Sequence, residues 1–518
     1  MGIDKSYKIS RISTSFILLI AAVAAQGGLA YSFILTHFYE LKSSGFDGAL
    51  FAQLLYNVIN GHGMTTTIAP PYIEQSWLGV HFSPVIYVIA PIYRLFPHIE
   101  TLLFLQSFLI AAAAIPIFFT AKILLQSQWQ ALAISVFYLL NPFVVNAQIW
   151  DFHEIAFAPL TISLILWSVA AKKRGWLIFF CAVLLTVKEH YGLAVFGTGI
   201  LWACHFREPK FGLALSATGL ISFLAVIKIL MPYFNPMGVA AMMNENSALD
   251  YFSWLASPFK DTDLLAKIMS GAIFYAVSLV YYLWFLPVFS FIWLLPAIAD
   301  GLVNALANKN TMMRHLLSYH SAAIIPVLLV AYTRTISAPY IKVIRLKRWE
   351  IIGITALTAG VFAYSFISLP YFPGNLWEFS TLRFSLSEKD KTARDEIIKI
   401  IGETAAVSAQ SNILPHIPTR QFLYMFPARV EGAQYIVINT SQIFHNRSNV
   451  FGIPYDNIYF TTIWDMMKDK NLGIVFYKNN WLLFKRNGKT NKELMDAAQK
   501  DLQLLQEKFT ALKRLEGE

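Results

Sequence analysis

The residues best suited to chemistry in this sequence are ionisable side chains at the edges of long apolar runs. The first is Asp47, in segment 45–48, which follows one apolar run and precedes an amphipathic stretch over 49–60. A carboxylate in that place could act as a general base that takes a proton from a hydroxyl group. A carboxylate at the beginning of a helix can also cap it, so the N-cap interpretation stays open beside the catalytic one.

A second group, Asp151, His153 and Glu154, lies in a very short polar segment between two apolar runs. An Asp and a His two residues apart could bind a divalent cation or orient a phosphate-bearing ligand, although this spacing is not a specific metal motif. Asp47, Asp151 and His153 are therefore the metal candidates, and a divalent cation is an open cofactor prediction. The alternative is a hydrated loop that caps the following helix.

Two further groups contain cations that could bind phosphate. Lys188, Glu189 and His190 interrupt an otherwise continuous apolar run, and either Lys188 contacts a phosphate or a local ion pair marks a helix reversal. The last group consists of Arg314, His315, Tyr319 and His320. Arginine favours bidentate phosphate contacts and histidine can donate hydrogen bonds, whereas an interfacial aromatic belt explains the tyrosine equally well.

These ionisable groups are scarce in a chain that is mostly apolar. Of the 518 residues, 56% are hydrophobic and only 14% are charged, against roughly 25% charged in ordinary soluble domains, so a cytosolic enzyme is excluded. The formal net charge of +10 does not indicate nucleic acid as a partner, because the Lys and Arg residues gather in short loops between apolar runs. The composition predicts an α-helical polytopic membrane protein.

Eleven apolar runs are predicted as membrane-spanning helices, and placing the N-terminus inside puts the basic loops inside too, in agreement with the positive-inside rule. They cover residues 13–36, 101–121, 130–147, 155–171, 175–187, 191–204, 211–230, 267–283, 284–300, 318–333 and 349–369. Segment 81–96 is short and carries Pro84 and Pro91, so we predict a juxtamembrane or re-entrant helix there. The predicted outer connections are 37–100, 148–154, 231–266 and 301–317.

This topology brings the ionisable groups to one face of the membrane, the outer one. Because charge at membrane depth is costly, such groups usually mark a function or a buried pair. The residues that converge there are Asp47, His81, Asp151, His153, Glu154, Lys188, Glu189, His190, Asp300, Arg314, His315 and His320.

The composition changes after Pro370, which divides the chain into a transmembrane domain, 1–370, and a C-terminal part. Residues 371–485 are predicted as a small extracytoplasmic α/β domain, with a helix at 388–402. Its short strands are predicted at 404–409, 434–439, 473–477 and 481–485. Residues 486–518 carry an amphipathic helix, whose apolar face either docks on this domain or forms a short coiled coil.

The order and spacing of these residues resemble the domain-of-unknown-function 2079 family of predicted bacterial and archaeal membrane proteins, which looks related to the GT-C superfamily of integral membrane glycosyltransferases. The residues that carry the resemblance in the transmembrane domain are Phe46, Asp47, Gly48, Gln53, Asn57, Gly61, His81, Phe82, Ser83, Pro84, Asp151, Phe152, His153, Lys188, Glu189, Tyr319, His320 and Pro326. In the C-terminal part they are 407–410, Pro415, His416 and 424–427. Gly48 departs from the larger apolar residue of many relatives.

The resemblance implies a GT-C-like architecture, a polyprenyl-phosphate-linked sugar as donor, and a carboxylate of the first outer loop as base. By position, Asp47 is the implied catalytic residue. The expected substrate contacts are His81, Asp151, His153, Glu154, Lys188, Glu189, Arg314 and His320. The expected function is hexosyl or pentosyl transfer at the extracytoplasmic face of the plasma membrane, onto a glycan, lipid or protein acceptor.

Two other classes of function remain open from the sequence. A transporter or flippase for a lipid-linked or anionic solute would place its charges near the bilayer midplane, often in two corresponding halves. Here the charges gather at one face and no internal repeat is visible. The second alternative is a non-catalytic scaffold whose soluble domain binds a partner.

Overall fold

The computed structural model describes residues 13–235, 262–306, 319–338, 347–367, 387–440 and 457–516. The predicted site residues Arg314 and His315 lie outside these ranges. Within them the transmembrane part is helical. Its α-helices are α1 (Thr14–Tyr39), α2 (Leu50–Ile59), α3 (Ile86–Leu95), α4 (Ile99–Ala112), α5 (Ala114–Leu125), α6 (Gln128–Leu139), α7 (Pro142–Gln148), α8 (Phe157–Ala170), α9 (Arg174–Leu185), α10 (Tyr191–Phe206), α11 (Pro209–Ala225), α12 (Met231–Phe234), α13 (Thr262–Val280), α14 (Ile298–Leu306), α15 (Ile324–Ser337) and α16 (Arg348–Ile367).

Several helical stretches in the described part of the chain are long and apolar enough to cross a membrane. They are Thr14–Tyr39, Ile99–Leu125, Pro209–Phe234, Leu265–Leu283 and Leu286–Ala305, and the bent pair α6 and α7 is a sixth candidate. Each of the eleven predicted spans overlaps a helix, but α8, α9 and α10 are only 12 to 16 residues long. The chain is therefore a multi-pass helical membrane protein, and the count of eleven spans stays a prediction.

The breaks between helices follow from local sequence. The side chain of Asn141 accepts a hydrogen bond from the Phe143 amide, and Pro142 opens α7, so the α6–α7 pair bends by 55°. Near the predicted reversal at Tyr282, Trp284 and Phe285 both take left-handed φ angles of 57° and 56°. These two residues separate the stretches Leu265–Leu283 and Leu286–Ala305.

Helices α10 and α11 pack with their backbones in close approach, which small residues permit. A Cβ on Gly199 would lie 2.4 Å from the Ser216 Oγ and 2.5 Å from the Gly212 carbonyl oxygen. This packing holds α10, which begins directly after Lys188, Glu189 and His190, against α11.

Segment 40–98, which lies within the predicted outer connection 37–100, forms a layer against the helix bundle that is here called the outer layer. It contains a single-turn π-helix, Gly45–Ala49, then α2, a short antiparallel pair of strands β1 (Thr65–Thr66) and β2 (Gln75–Ser76), and α3. The apolar helix α3 lies inside the segment predicted as juxtamembrane or re-entrant.

The C-terminal part is an α/β domain built on one mixed sheet. Its elements are α17 (Glu388–Ile401), β3 (Val407–Ala409), β4 (Leu423–Met425), β5 (Tyr435–Asn439), α18 (Asn457–Lys468), β6 (Leu472–Lys478), β7 (Trp481–Arg486) and α19 (Lys492–Glu516). The strand order is β4-β3-β5-β7-β6. Strands β4, β3 and β5 are parallel to one another, and β7 is antiparallel to both of its neighbours, β5 and β6. The predicted helix and strands correspond to these elements, but β4 was not predicted.

Helix α19 packs along the sheet rather than standing apart from it. Its residues Ala498 and Leu502 are buried in one apolar cluster with Ile474 of β6 and Leu482 of β7. The predicted amphipathic face therefore docks on the domain.

A second apolar cluster joins the C-terminal domain to the outer layer. It contains Phe38 at the end of α1, Leu50 of α2, Leu414, and Trp481 of β7. Because one core is shared, the C-terminal domain lies at the same membrane face as Asp47.

Candidate active site

Asp47 lies in the π-helix, between α1 and α2. The helix is capped by Ser44, whose side chain accepts a hydrogen bond from the Phe46 amide. The N-cap role considered for Asp47 therefore belongs to Ser44. Asp47 is instead buried, with 8% of its surface exposed, and its carboxylate points to the segment that follows α7.

The carboxylate of Asp47 is paired with His153. The Oδ1 of Asp47 lies 3.0 Å from His153 Nε2, and His153 Nδ1 lies 2.8 Å from the Asp151 carbonyl oxygen. Burial lowers the pKa of His153, but the Asp47 carboxylate outweighs this and raises it overall. Because both ring nitrogens face oxygen acceptors, the surroundings favour the doubly protonated form of the His153 ring.

Aromatic rings enclose this pair. The ring of Tyr319 lies 4.0 Å from the His153 ring between centroids, a distance at which an aromatic face stabilises a cation. The indole Nε1 of Trp150 lies 3.4 Å from Asp47 Oδ2, a long and weak hydrogen bond. Oδ2 is thus held more loosely than Oδ1 and is the better placed oxygen to take a new proton.

Gln106 of α4 holds the segment 149–153 in place. Gln106 donates its side-chain amide to the Ala147 carbonyl at 2.7 Å and accepts the His153 backbone amide at 3.1 Å. This bridge sets the position of His153 beneath Asp47. The hydrated loop considered from the sequence is therefore a buried, hydrogen-bonded segment.

Asp151 is a second buried carboxyl group beside Asp47. Its Oδ2 accepts the Ser44 amide at 2.6 Å, while its Oδ1 has no hydrogen-bond partner among the residues that the structure describes. Burial, together with the nearby Asp47 charge, raises the pKa of Asp151 to about 7 against the opposing Ser44 hydrogen bond. A Cβ on Gly48 would lie 3.6 Å from this Oδ1, so the glycine leaves space beside it.

The three polar residues between α9 and α10 each reach a distant partner. Lys188 Nζ lies 2.8 Å from Glu154 Oε1, and both side chains are nearly fully buried. Glu189 accepts His81 Nδ1 at 3.0 Å and the Phe82 amide at 3.1 Å. The local ion pair considered at this reversal is therefore replaced by long-range contacts that tie three segments together.

His190 and His320 complete the polar cluster. His190 Nε2 lies 3.1 Å from Asp300 Oδ1 in α14, and the Tyr191 hydroxyl donates to the same oxygen at 3.3 Å. His320 is buried within electrostatic range of Lys188, His153, His190 and His81.

The structure thus brings together every predicted substrate contact that it describes. Those residues are His81, Asp151, His153, Glu154, Lys188, Glu189 and His320 around Asp47. The contacts that Trp150, Ser44 and Ser411 make with Asp47 or its π-helix were not predicted from the sequence. Trp150 directly precedes Asp151, and this position could have indicated its contact, whereas nothing in the sequence marks the two serines.

The three residues predicted as metal candidates are not arranged as a metal site. Within the described ranges, no group of three or more His, Cys, Asp or Glu side chains is placed to hold a metal ion. His153 Nε2 and Asp47 Oδ1 face each other, and Asp151 Oδ2 is bound to Ser44, so these three residues do not converge on one point.

A cleft of about 540 Å³ opens between the outer layer and the C-terminal domain, at the side of the site. Its lining combines polar and aromatic groups, among them Tyr56, Glu100, Arg394 and Glu403. Pro415 also lines it, and its Cγ lies 3.8 Å from the position that a Cβ on Gly48 would take. One side of Pro415 therefore faces the cleft and another faces the π-helix that contains Asp47.

The chain is similar to solved structures of two proteins. ArnT from Cupriavidus metallidurans in the apo state is 12% identical, with a TM-score of 0.49 over 91% of this chain and 98% of that chain. The same protein bound to undecaprenyl phosphate is 12% identical, with a TM-score of 0.49 over 90% and 97%. The oligosaccharyltransferase from Archaeoglobus fulgidus, in complex with Zn and sulfate, is 12% identical, with a TM-score of 0.41 over 85% and 69%.

At TM-scores below 0.5 these overlaps do not establish a shared fold. None of the curated protein sequences matches the chain. The family profile described as "Predicted membrane protein (DUF2079)" matches residues 37–456, a range that contains Asp47, His153, Lys188 and the first half of the C-terminal domain. The chain therefore belongs to the DUF2079 family of predicted membrane proteins.

Proposed function

We propose that this protein is a membrane glycosyltransferase that moves a sugar from a polyprenyl-phosphate-linked donor to an acceptor hydroxyl at the extracytoplasmic face. The observation that carries the proposal is the buried pair of Asp47 and His153, with Asp47 Oδ1 held at 3.0 Å and Oδ2 more loosely bound. A carboxylate that is oriented through one oxygen and only weakly hydrogen-bonded through the other is suited to general-base catalysis. The donor class is the one that the GT-C resemblance implies.

The proposed chemical step begins with the acceptor hydroxyl beside Asp47 Oδ2. Its proton moves to Oδ2 as its oxygen forms a bond to the anomeric carbon of the donor sugar. The bond from that carbon to the phosphate oxygen breaks, and its electron pair leaves with the polyprenyl phosphate. His153, held between Asp47 and the Asp151 carbonyl, keeps the carboxylate in its reactive orientation.

Side chains elsewhere in the cluster are proposed to stabilise the leaving phosphate, Lys188 as a cation and His320 as a hydrogen-bond donor. Lys188 is held in place by Glu154 at 2.8 Å, and an ammonium group has three N–H donors, so this contact is compatible with phosphate binding. His320 lies in range of Lys188, and Arg314 is a further phosphate contact predicted from the sequence. In a buried site such charges act far more strongly on a departing anion than they would in water.

The cleft beside Pro415 is the proposed entrance for the acceptor. The carboxylates, the arginine and the tyrosine that line the cleft can hydrogen-bond and stack against a polyhydroxylated molecule. The apolar helices around the site would admit the lipid chain of the donor from the bilayer.

The proposal is tested by incubating the purified protein with a panel of polyprenyl-phosphate sugars and following each donor by mass spectrometry. We expect one donor to be consumed, with free polyprenyl phosphate as a product and the sugar released to water or transferred to a hydroxyl acceptor. A flippase would leave the donor chemically intact while moving it between leaflets of a vesicle. That result, with the donor unchanged across the panel, would overturn the proposal.

A further inference from the structure

We infer that the C-terminal domain positions Asp47 through the loop 410–416, here called the docking loop, which packs on the π-helix. The inference rests on the proposed function, because it assigns the loop a role in holding the proposed base. It makes Ser411 a positioning residue and the C-terminal domain a working part of the site.

The contact between the docking loop and the π-helix is made at Gly45. The Gly45 amide donates a hydrogen bond to Ser411 Oγ at 3.0 Å. A Cβ on Gly45 would lie 2.7 Å from the Ser411 carbonyl oxygen and 2.8 Å from Leu414 Cδ1, closer than side-chain carbons approach. Glycine is therefore required, and the backbone of the π-helix lies directly against the loop.

Any movement of this contact reaches Asp47. The π-helix is a single turn, Gly45–Ala49, and the Gly48 amide donates to the Ser44 carbonyl at 2.9 Å across it. On its other side the turn is held by the Ser44 amide on Asp151 Oδ2. The turn is thus fixed between the docking loop and Asp151, and a displacement of 1 Å would break the alignment that general-base catalysis needs.

The docking loop is itself anchored to α1. His416 Nε2 donates to the Phe38 carbonyl oxygen at 3.0 Å, and the two rings stack at 4.3 Å between centroids with an interplanar angle of 11°. Burial lowers the pKa of His416 to about 3, so the imidazole stays neutral near pH 7 and this anchor does not titrate there. The Asn439 amide adds a bond to Gln410 Oε1 at 2.6 Å.

Contacts elsewhere hold the domain in place independently of Ser411. Gln53 of α2 donates its side-chain amide to the Gln421 carbonyl at 2.7 Å. The Leu423 amide of β4 donates to Thr67 Oγ1 at 3.0 Å. Removing the Ser411 hydroxyl should therefore loosen the π-helix locally without releasing the domain.

The test compares Ser411→Ala with Ser411→Thr, which keeps the hydroxyl, and Gly45→Ala with Gly28→Ala in α1, where a Cβ meets nothing within 4 Å. With the donor identified above, we expect Ser411→Ala to lower kcat by ~10-fold or more at a donor KM within about twofold of wild type. Ser411→Thr should restore kcat, Gly45→Ala should lower it further, and Gly28→Ala should match wild type. All four should be compared at equal amounts of monodisperse protein with measured melting temperatures.

Two results would overturn the inference. One is a Ser411→Ala variant with wild-type kcat, and the other is a loss of kcat that Ser411→Thr does not restore. A stability effect alone would lower the melting temperature and the amount of active protein without a selective loss of kcat.

A second measurement decides the inference even if no donor is consumed and the proposed function fails. In a chain with Cys181→Ser and Cys204→Ser, the thiol introduced by Asp47→Cys is labelled with N-ethylmaleimide, with and without Ser411→Ala. Positioning by the docking loop predicts faster labelling in the Ser411→Ala background. Equal labelling rates in the two backgrounds would show that Ser411 does not hold the turn.

Discussion

At the scale of single residues, Asp151 shows how burial sets a protonation state. The carboxyl group is 7% exposed, and its pKa rises from the usual 3.8 to about 7 because burial disfavours the charged form. A raised folded-state pKa means that the folded protein binds this proton more tightly than the unfolded chain. The stability it contributes is complete below pH 4 and is lost as the pH rises through about 7.

Asp151→Asn should therefore remove part of the pH dependence of stability. The neutral amide imitates the protonated acid, so we expect near-equal stability at pH 4 and a more stable variant at pH 8, by about 4 kcal/mol at most. Melting temperatures of the detergent-solubilised proteins between pH 4 and 8 measure this difference. The exposed Asp496→Asn is the matched control and should follow wild type throughout. Parallel curves for Asp151→Asn and wild type would contradict the assignment.

The identities of the site residues could be predicted from sequence because ionisable groups are rare in this chain. Asp47, Lys188 and His153 stand out between apolar runs, and the structure places them in one cluster. Their partners could not be predicted, because each contact joins residues far apart in sequence, as with His81 and Glu189, which are 108 residues apart. Adjacency suggested that Lys188 pairs with Glu189, whereas the fold pairs it with Glu154.

At the level of elements, the connector between α9 and α10 contributes Lys188 to a buried ion pair with Glu154. Breaking a buried pair by removing one partner leaves an uncompensated charge, whereas replacing both partners can be neutral. Comparing a variant that lacks only Lys188 with one that replaces both partners therefore distinguishes a structural role of Lys188 from a role in substrate binding.

Lys188→Met should destabilise the protein by ~3–5 kcal/mol because Glu154 is left buried without its lysine. The double variant Lys188→Met with Glu154→Gln should recover most of this stability but not donor consumption, since the phosphate contact is still missing. Thermal unfolding and donor turnover are measured on the same preparations. Recovery of turnover in the double variant would remove Lys188 from phosphate binding.

The exposed pair of Lys478 and Glu396, at 2.7 Å, provides the control for this experiment. Surface ion pairs contribute ~0–1 kcal/mol, so Lys478→Met should change the melting temperature little. A loss as large as that of Lys188→Met would show that the buried setting is not the cause.

Element prediction succeeded where the pattern is long and failed where it is short. The helix at 388–402 and the strands at 434–439 and 481–485 carry enough alternating or periodic residues to be recognised. Strand β4 has only Leu423–Met425, which is too short to show alternation, and the equally short β3 was predicted only as part of the longer run 404–409. The π-helix at Gly45–Ala49 depends on contacts with Ser411 and Asp151, and sequence periodicity does not report such contacts.

At the scale of the whole molecule, the transmembrane and C-terminal parts share a core. Phe38, Leu50, Leu414 and Trp481 belong to one buried cluster that crosses the boundary predicted near residue 370. Composition marks that boundary because the last long apolar run of the sequence ends there, but composition does not show that the two parts fold against each other.

A chain that ends at residue 367 should therefore not form a stable protein. Removing the C-terminal domain uncovers the apolar faces of α2 and the outer layer, so we expect aggregation or loss of the monodisperse peak in size-exclusion chromatography. A chain that ends at residue 491 loses only α19, which buries Ala498 and Leu502, and should retain the peak with a lower melting temperature. A monodisperse 367-residue chain with wild-type stability would contradict the shared core.

Whether Asp47 takes the acceptor proton is decided by the donor turnover of Asp47→Asn, measured beside the exposed control Asp496→Asn. We expect Asp47→Asn to lose turnover by ~100-fold or more, the usual contribution of a general base, while its chromatographic profile stays that of wild type. Asp496→Asn should turn over donor at the wild-type rate. Wild-type turnover by Asp47→Asn would contradict the account.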